Sequence, residues 1–288
     1  MKILVLGAAG MAGHTIALYF QQQGHDVTAY TTRPFSYFRN NIVGNALDTE
    51  AFRAMLLEGG YDAVINCIGL LNKTAEDRPA QAVYLNSYLP HLVADTLKDT
   101  PARLIHMSTD CVFAGNTGPY AEDALRDGRT FYDRTKALGE VEDGRNLTFR
   151  NSIVGPDMNP EGIGLFNWFM KQQGPINGFT GAMWTGVTTL TLAKAMERAL
   201  EEGLSGLYNL VNDSNISKYD LLGLFNRYFR NGRVEIRPSG SLHLDKTLVR
   251  TRRDFSFAVP DYERQVAEMK QWVDDHKELY PHYFALSL

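Results

Sequence analysis

Residues 1–13, MKILVLGAAGMAG, constrain the fold most. Four apolar residues, Ile3 to Leu6, run into Gly7, and glycines recur at Gly10 and Gly13. A helical apolar pattern then starts at Ile16, Ala17, Tyr19 and Phe20. The segment reads as strand, tight turn, helix. Gly7 permits the sharp turn, Gly10 lets backbone approach a ligand, and Gly13 lets the helix pack close to the strand. The start of that helix offers unpaired N–H groups and a positive dipole end, which suit phosphates. Gly-x-x-Gly-x-x-Gly is a variant of the dinucleotide spacing Gly-x-Gly-x-x-Gly. Gly7, Gly10, Met11 and Gly13 are therefore candidates for holding a dinucleotide. A tight turn without a ligand would use the same glycines. The second strand-like stretch, Asp26–Tyr30 after Gly24, favours the ligand.

The 288 residues suffice for one large α/β domain or two unequal ones. Net charge is −4 with no long basic run, which argues against a nucleic-acid partner. No apolar stretch approaches the length of a membrane span, and the N-terminus lacks the shape of a signal peptide. Cys67 and Cys111 have apolar flanks and read as small core residues in a reducing compartment. A cytoplasmic location is expected, and no metal.

Strand-like and helix-like segments alternate through the first half, which predicts a doubly wound parallel sheet. The expected strands are Lys2–Leu6, Asp26–Tyr30, Ala63–Cys67, Arg103–Met107 and Leu147–Arg150. Helices are expected at Thr49–Glu58 and Ala80–Leu97, the second kinked by Pro90. After Gly155 the alternation weakens. Helical patterns lie at Phe166–Gln173, Leu190–Glu202, Ser217 to about Arg230 with Ser217 as N-cap, and Tyr262–His276. Gly206–Val211 resembles a strand. The expected division is a Rossmann domain at 1–155 to which 185–211 returns, and an interleaved substrate portion at 156–184 and 212–288.

Residues 106–140 carry the chemistry. Ser108 and Thr109 follow a strand, and ligands of open α/β sheets bind at the carboxyl ends of strands. Tyr132 and Lys136 lie four apart, on one face of a helix. A lysine ammonium near a phenol lowers its high pKa and makes proton exchange easier. Tyr132 could then give a proton to a carbonyl oxygen, with a second hydrogen bond from Thr109. A surface helix pair and simple capping would use the same residues, but the order of the glycine turn, Ser-Thr and Tyr-x-x-x-Lys favours chemistry.

On GAAGMAG (7–13), DAVINCIG (62–69), STDCVFAG (108–115), PYAEDA (119–124), YDRTKALGE (132–140) and RNSIVGP (150–156), the chain resembles the extended short-chain dehydrogenase/reductase superfamily. It is most similar there to dTDP-4-dehydrorhamnose reductase and related sugar-nucleotide reductases. The resemblance implies Thr109, Tyr132 and Lys136 as the catalytic set, with Tyr132 and Lys136 also at the coenzyme and Lys136 on its ribose. It implies Cys67, Ile68 and Gly69 around the coenzyme, and Asn151 to Ile153, Ser152 included, beside the nicotinamide. Asn86 matches a position that links the lysine to solvent, unless it is only a polar residue on an exposed helix face. Asp48 matches an acidic residue near adenine, although N-capping explains it equally well. Asp133 departs from the usual glycine after the tyrosine, and a proline usual before it is missing.

The end of the second strand, AYTTRP, lacks the carboxylate that holds the ribose of NAD, and Arg33 is available for a 2′-phosphate. NADPH is therefore the expected coenzyme, with NADH the alternative. A nucleotide-sugar substrate is expected. Lys246, Arg250, Arg252 and Arg253 are available for its diphosphate, and Phe179 and Trp184 for its base or sugar. A homodimer is allowed, but the oligomeric state is not readable. The resemblance also admits an NAD-dependent nucleotide-sugar epimerase. A third reading is a non-catalytic NADP-binding subunit, as in the regulatory β subunit of methionine adenosyltransferase.

Overall fold

Strand β1 (Lys2–Leu6) is apolar on both faces, and Ile3 to Leu6 have no exposed surface in the computed structural model. That is the pattern of a parallel strand covered by helices on both sides. The structure describes residues 1–285. Among them the other strands are β2 (Asp26–Thr31), β3 (Asn40–Val43), β4 (Ala63–Asn66), β5 (Arg103–Met107), β6 (Leu147–Arg150), β7 (Ile153–Val154), β8 (Ile176–Trp184), β9 (Val187–Thr188), β10 (Gly206–Asn209), β11 (Ile216–Ser217) and β12 (Ile236–Asp245). The helices are α1 (Met11–Gln22), α2 (Thr49–Glu58), α3 (Asn72–Asp77), α4 (Pro79–Ala82), α5 (Leu89–Leu97), α6 (Phe131–Leu138), α7 (Leu165–Met170), α8 (Thr189–Glu202), α9 (Lys218–Arg230), α10 (Tyr262–Asp275) and α11 (Pro281–Phe284).

Seven parallel strands form the central sheet in the order β3-β2-β1-β4-β5-β6-β10. The fold is thus the expected Rossmann-like α/β sheet. The direction of winding reverses between β1 and β4, and the crevice for ligands opens at such a switch point. A smaller mixed sheet, β11-β8-β12, and the short pair β7-β9 lie in the second half. One apolar core runs from β1 and α1 through α7, α8 and α9 to Trp272 and Tyr280. No helix among the described residues is long and apolar enough to cross a membrane.

Two expectations change. The helix expected at Ala80–Leu97 is not one kinked rod. It consists of α4, a π-helical segment at Val83–Tyr88, and α5, which has Pro90 in its first turn. Proline has no N–H to give to the Asn86 carbonyl four residues back, so the regular ladder fails there. The long strands β8 and β12 were not expected. β8 alternates inconsistently between buried and exposed residues, and β12 is largely exposed, so neither carries a clear two-residue apolar period.

Candidate active site

The site starts with the glycine turn. Gly7 has φ +75°, and a Cβ there would lie 3.2 Å from both the Cys67 carbonyl carbon and Ile68 Cγ1. On Gly13 a Cβ would stand 2.2 Å from the Gly7 carbonyl oxygen. Only hydrogen fits between turn and helix, and α1 therefore begins hard against β1. Gly10 N–H donates to the Gly7 carbonyl at 3.0 Å, and Gly7 N–H to the Tyr30 carbonyl at 3.0 Å. The second bond sets the end of β2 beside the turn. Arg33 follows on that side, exposed, with the Thr31 hydroxyl bonded to its carbonyl at 2.7 Å.

A cleft of about 400 Å³ opens at the carboxyl ends of β1, β4, β5 and β6. Gly10, Met11, Gly13, Cys67, Ile68, Gly69, Thr109, Tyr132, Lys136, Asn151 and Ser152 all line it. The structure therefore brings together most of the residues singled out from the sequence. Burial pushes the Cys67 and Cys111 thiols up to about 12, so neither is a thiolate at neutral pH.

Helix α6 aims Tyr132 and Lys136 into the cleft. Thr130 and Asp133 form its capping box: Thr130 Oγ1 accepts from Asp133 N–H, and Asp133 Oδ2 accepts from Thr130 N–H, each at 3.1 Å. The unusual Asp133 is thus a cap. Lys136 is buried and its Nζ donates to the Met107 carbonyl at 2.6 Å. Burial lowers its pKa to about 8, against the pull of Glu140.

The phenol differs from expectation. Burial, with Cys111 and Asp110 adding to it, pushes Tyr132 above its ordinary value, and the nearby Thr109 hydroxyl opposes only part of this. The expected lowering by Lys136 is not found: the phenol is desolvated, and the ammonium is bonded to the Met107 carbonyl. Thr109 caps the turn that follows β5. Its Oγ1 accepts from Cys111 N–H and donates to Asp110 Oδ1, both at 3.2 Å.

Ser108 also lines the cleft, and its hydroxyl is committed to Glu140 Oε1, to which it donates at 2.6 Å. Glu140 also receives Arg150 through Nε at 2.9 Å and Nη2 at 2.8 Å. Burial alone would raise this carboxylate, but the Arg150 hydrogen bonds and charge hold it low. Sequence reasoning missed this fully buried ion pair. The available signal was Arg150, a guanidinium at the end of an apolar strand, which demands a partner.

Asn86 and Asp48 do not line the cleft. The exposed-face alternative for Asn86 is overturned, since its side chain is fully buried. Its amide nitrogen donates to the Leu70 carbonyl at 2.9 Å and to Thr135 Oγ1 at 3.1 Å, and its oxygen accepts from Leu70 N–H at 2.8 Å. It ties the loop after β4 to α6. Asp48 is exposed and N-caps α2, accepting from Ala51 N–H at 3.3 Å.

The second half supplies one group that sequence reasoning passed over. Lys218, first residue of α9, holds its ammonium 5.1 Å from the centre of the Trp184 ring and faces Asp110 and Cys111. Burial lowers it to about 8. Trp184 is itself buried against Tyr262, so it offers no free stacking face. Arg250 pairs with Asp213 at 3.1 Å, and Arg252 is bound to the Ser205 and Leu207 carbonyls and to Asp254. Of the three arginines, only Arg253 is exposed.

The family description that matches is the RmlD substrate binding domain, over residues 1–253. The chain belongs to that family. It is thus a dTDP-4-dehydrorhamnose reductase-like member of the extended short-chain dehydrogenase/reductase superfamily, whose members are NAD(P)-binding. A dTDP-4-dehydrorhamnose reductase from Mycolicibacterium smegmatis is 33% identical over 142 residues, which is 48% of this chain and 40% of that protein. Methionine adenosyltransferase 2 subunit beta of Xenopus tropicalis is 29% identical over 144 residues, 48% of this chain and 41% of that one. The chain spans less than half the length of these curated relatives. In fold it is similar to the crystal structure of dTDP-4-dehydrorhamnose reductase from Bacillus anthracis in complex with NADP. The TM-score is 0.76 at 16% identity, covering 93% of this chain and 98% of that one.

Two features of the cleft fit an NAD(P) coenzyme. The glycine cradle excludes any side chain from the place where backbone would meet a pyrophosphate. Asn151 is buried in the cleft wall, and neither its amide nitrogen nor its oxygen has a partner among the described residues. Orphaned buried amides are rare in folded chains, and here a ligand would satisfy them.

Proposed function

We propose that this chain reduces the keto group of a deoxy-sugar nucleotide with NADPH, in the synthesis of a surface polysaccharide precursor. The observation that carries the reading is the meeting of Thr109, Tyr132 and Lys136 in one cleft beside the glycine cradle. Residues 1–155 with 185–211 would hold the coenzyme, and 156–184 with 212–288 the substrate. Gly7, Gly10, Met11 and Gly13 would take the pyrophosphate, and Cys67 to Gly69 would close over the coenzyme. Asn151 and Ser152 would meet the nicotinamide end. Arg33, with no acidic residue at the end of β2, favours a 2′-phosphate. Asp48 and Asn86 are left to position α2 and the loop after β4.

Bound NADPH supplies the hydride. Tyr132 remains protonated at neutral pH because burial disfavours its phenolate, so it meets a keto oxygen as an acid. The phenol O–H breaks, its proton joins the oxygen that gains the electron pair of the C=O bond, and an alcohol results. Thr109 would give that oxygen a second hydrogen bond by turning its hydroxyl from Asp110 Oδ1, the acceptor it has here. Lys136, still mainly an ammonium at pH 7 and bonded here to the Met107 carbonyl, is the cation on the same helix that would answer the negative charge left on Tyr132. We assign Lys218 to the anionic diphosphate of the substrate, because it is a half-buried cation facing Asp110 from the second half of the chain.

The test is coenzyme oxidation with a panel of 4-keto-6-deoxy sugar nucleotides. One NADP⁺ formed per alcohol is expected. Product that forms with no net coenzyme oxidation would make the chain an epimerase. No turnover on any member, together with tight binding of a partner protein, would favour the regulatory subunit.

A further inference from the structure

The family match ends at residue 253, yet the segment beyond it reaches both walls of the cleft. Tyr280 is fully buried, and its hydroxyl lies 2.7 Å from His14 Nε2 and 3.0 Å from Trp272 Nε1. His14 Nδ1 lies 2.9 Å from the Gly10 carbonyl oxygen. Chemistry fixes the direction of every bond. A carbonyl only accepts, so Nδ1 carries the proton. Burial lowers His14 to about 4, so the ring is neutral and Nε2 accepts. An indole N–H only donates, so the Tyr280 hydroxyl accepts from Trp272 and donates to His14. The chain Trp272, Tyr280, His14 ends on the carbonyl of the glycine turn.

A second contact reaches the opposite wall. The Tyr283 hydroxyl accepts Asp157 N–H at 2.9 Å, and Tyr283 packs edge-on against Phe166 at 5.3 Å. Asp157, Ile163 and Gly164 line the cleft, and a Cβ on Gly164 would lie 2.9 Å from Met11 Sδ. The loop 157–164 thus faces the start of α1 across the cleft. Tyr280 and Tyr283, three residues apart, hold the two walls from behind without lining the cleft.

We infer that Tyr280 and Tyr283 are positioning residues for the coenzyme, setting the glycine turn and the 157–164 loop at the separation at which both grip one dinucleotide. The inference rests on the coenzyme reading given above. Residues 280–283 would then serve the coenzyme rather than the substrate.

The test compares Tyr280→Phe and Tyr283→Phe with Tyr262→Phe, which removes the hydroxyl of another buried tyrosine, bonded to the Trp184 and Ser214 carbonyls. Titration with NADPH should give a Kd about five- to tenfold higher in the first two and unchanged in the third. The kcat at saturating coenzyme should stay close to that of the wild type. Amide exchange, measured without coenzyme, should quicken at 7–14 in Tyr280→Phe and at 157–164 in Tyr283→Phe. Wild-type Kd in both variants beside normal binding by the wild type overturns the positioning role alone, as does an equal rise in Tyr262→Phe. A wild-type chain that binds no NADPH overturns the coenzyme reading itself and with it this role, even where exchange still reports the two contacts.

Discussion

Asp133 and Gly128 are a matched pair. A Cβ on Gly128 would lie 2.6 Å from Asp133 Cβ, so the glycine makes room for the side chain that caps α6. Asp133→Ala should cost about 1 kcal/mol in denaturant unfolding and leave Tyr132 in place. Gly13 is less forgiving, because the atom in its way is backbone. Gly13→Ala should destabilise by about 1–3 kcal/mol and also weaken NADPH binding. His14 makes stability depend on pH. Its folded pKa, about 4, lies below the ordinary 6.5, so the unfolded chain takes the proton first. Its contribution is complete above pH 6.5 and is lost as pH falls toward 4. Buried His106 is lowered too and acts with the same sign. Unfolding free energies at pH 7 and pH 4.5 should therefore differ by more in the wild type than in His14→Asn, and equal differences would contradict this assignment.

At the scale of elements, the site hangs on joints between strands and helices. Arg150 at the end of β6 and Glu140 after α6 lock the sheet to the helix that carries Tyr132 and Lys136. Arg150→Met leaves a buried carboxylate without its main partner and should cost about 3–5 kcal/mol. Glu140→Gln should cost less, since the amide still accepts from the guanidinium. The π-helical segment is another joint. A Cβ on Gly139 would lie 1.8 Å from the Asn86 carbonyl oxygen, so Gly139 lets α6 press against the carbonyl to which Pro90 has no N–H to give. The β1–α1 turn, the strands β4 to β6 and the Ser217 cap were legible because each rests on local chemistry: an apolar run, a glycine, a hydroxyl at a helix start. Gly139 against Asn86, or Arg150 with Glu140, was not, because such contacts join different elements and carry no period.

At the scale of the molecule, the same contrast separates the two halves. Coenzyme-side residues sit at the carboxyl ends of neighbouring strands, and sheet topology gathers them once the strands are placed. The second half is built from β8, β12 and helices whose faces are set by packing, so its cations could be counted but not aimed. Of the arginines considered for a diphosphate, Arg250 and Arg252 are committed to Asp213, Asp254 and backbone carbonyls, while Lys218 was missed. Lys218→Met should raise KM for the nucleotide sugar while leaving NADPH binding unchanged. The central claim concerns one proton. The most direct test is kcat for NADPH-dependent reduction of the accepted keto-sugar nucleotide by wild type and Tyr132→Phe, with NADPH Kd measured on both. A fall in kcat of about 10²–10⁴-fold at nearly constant Kd is expected. Turnover by the phenylalanine variant at the wild-type rate would remove Tyr132 from the chemistry.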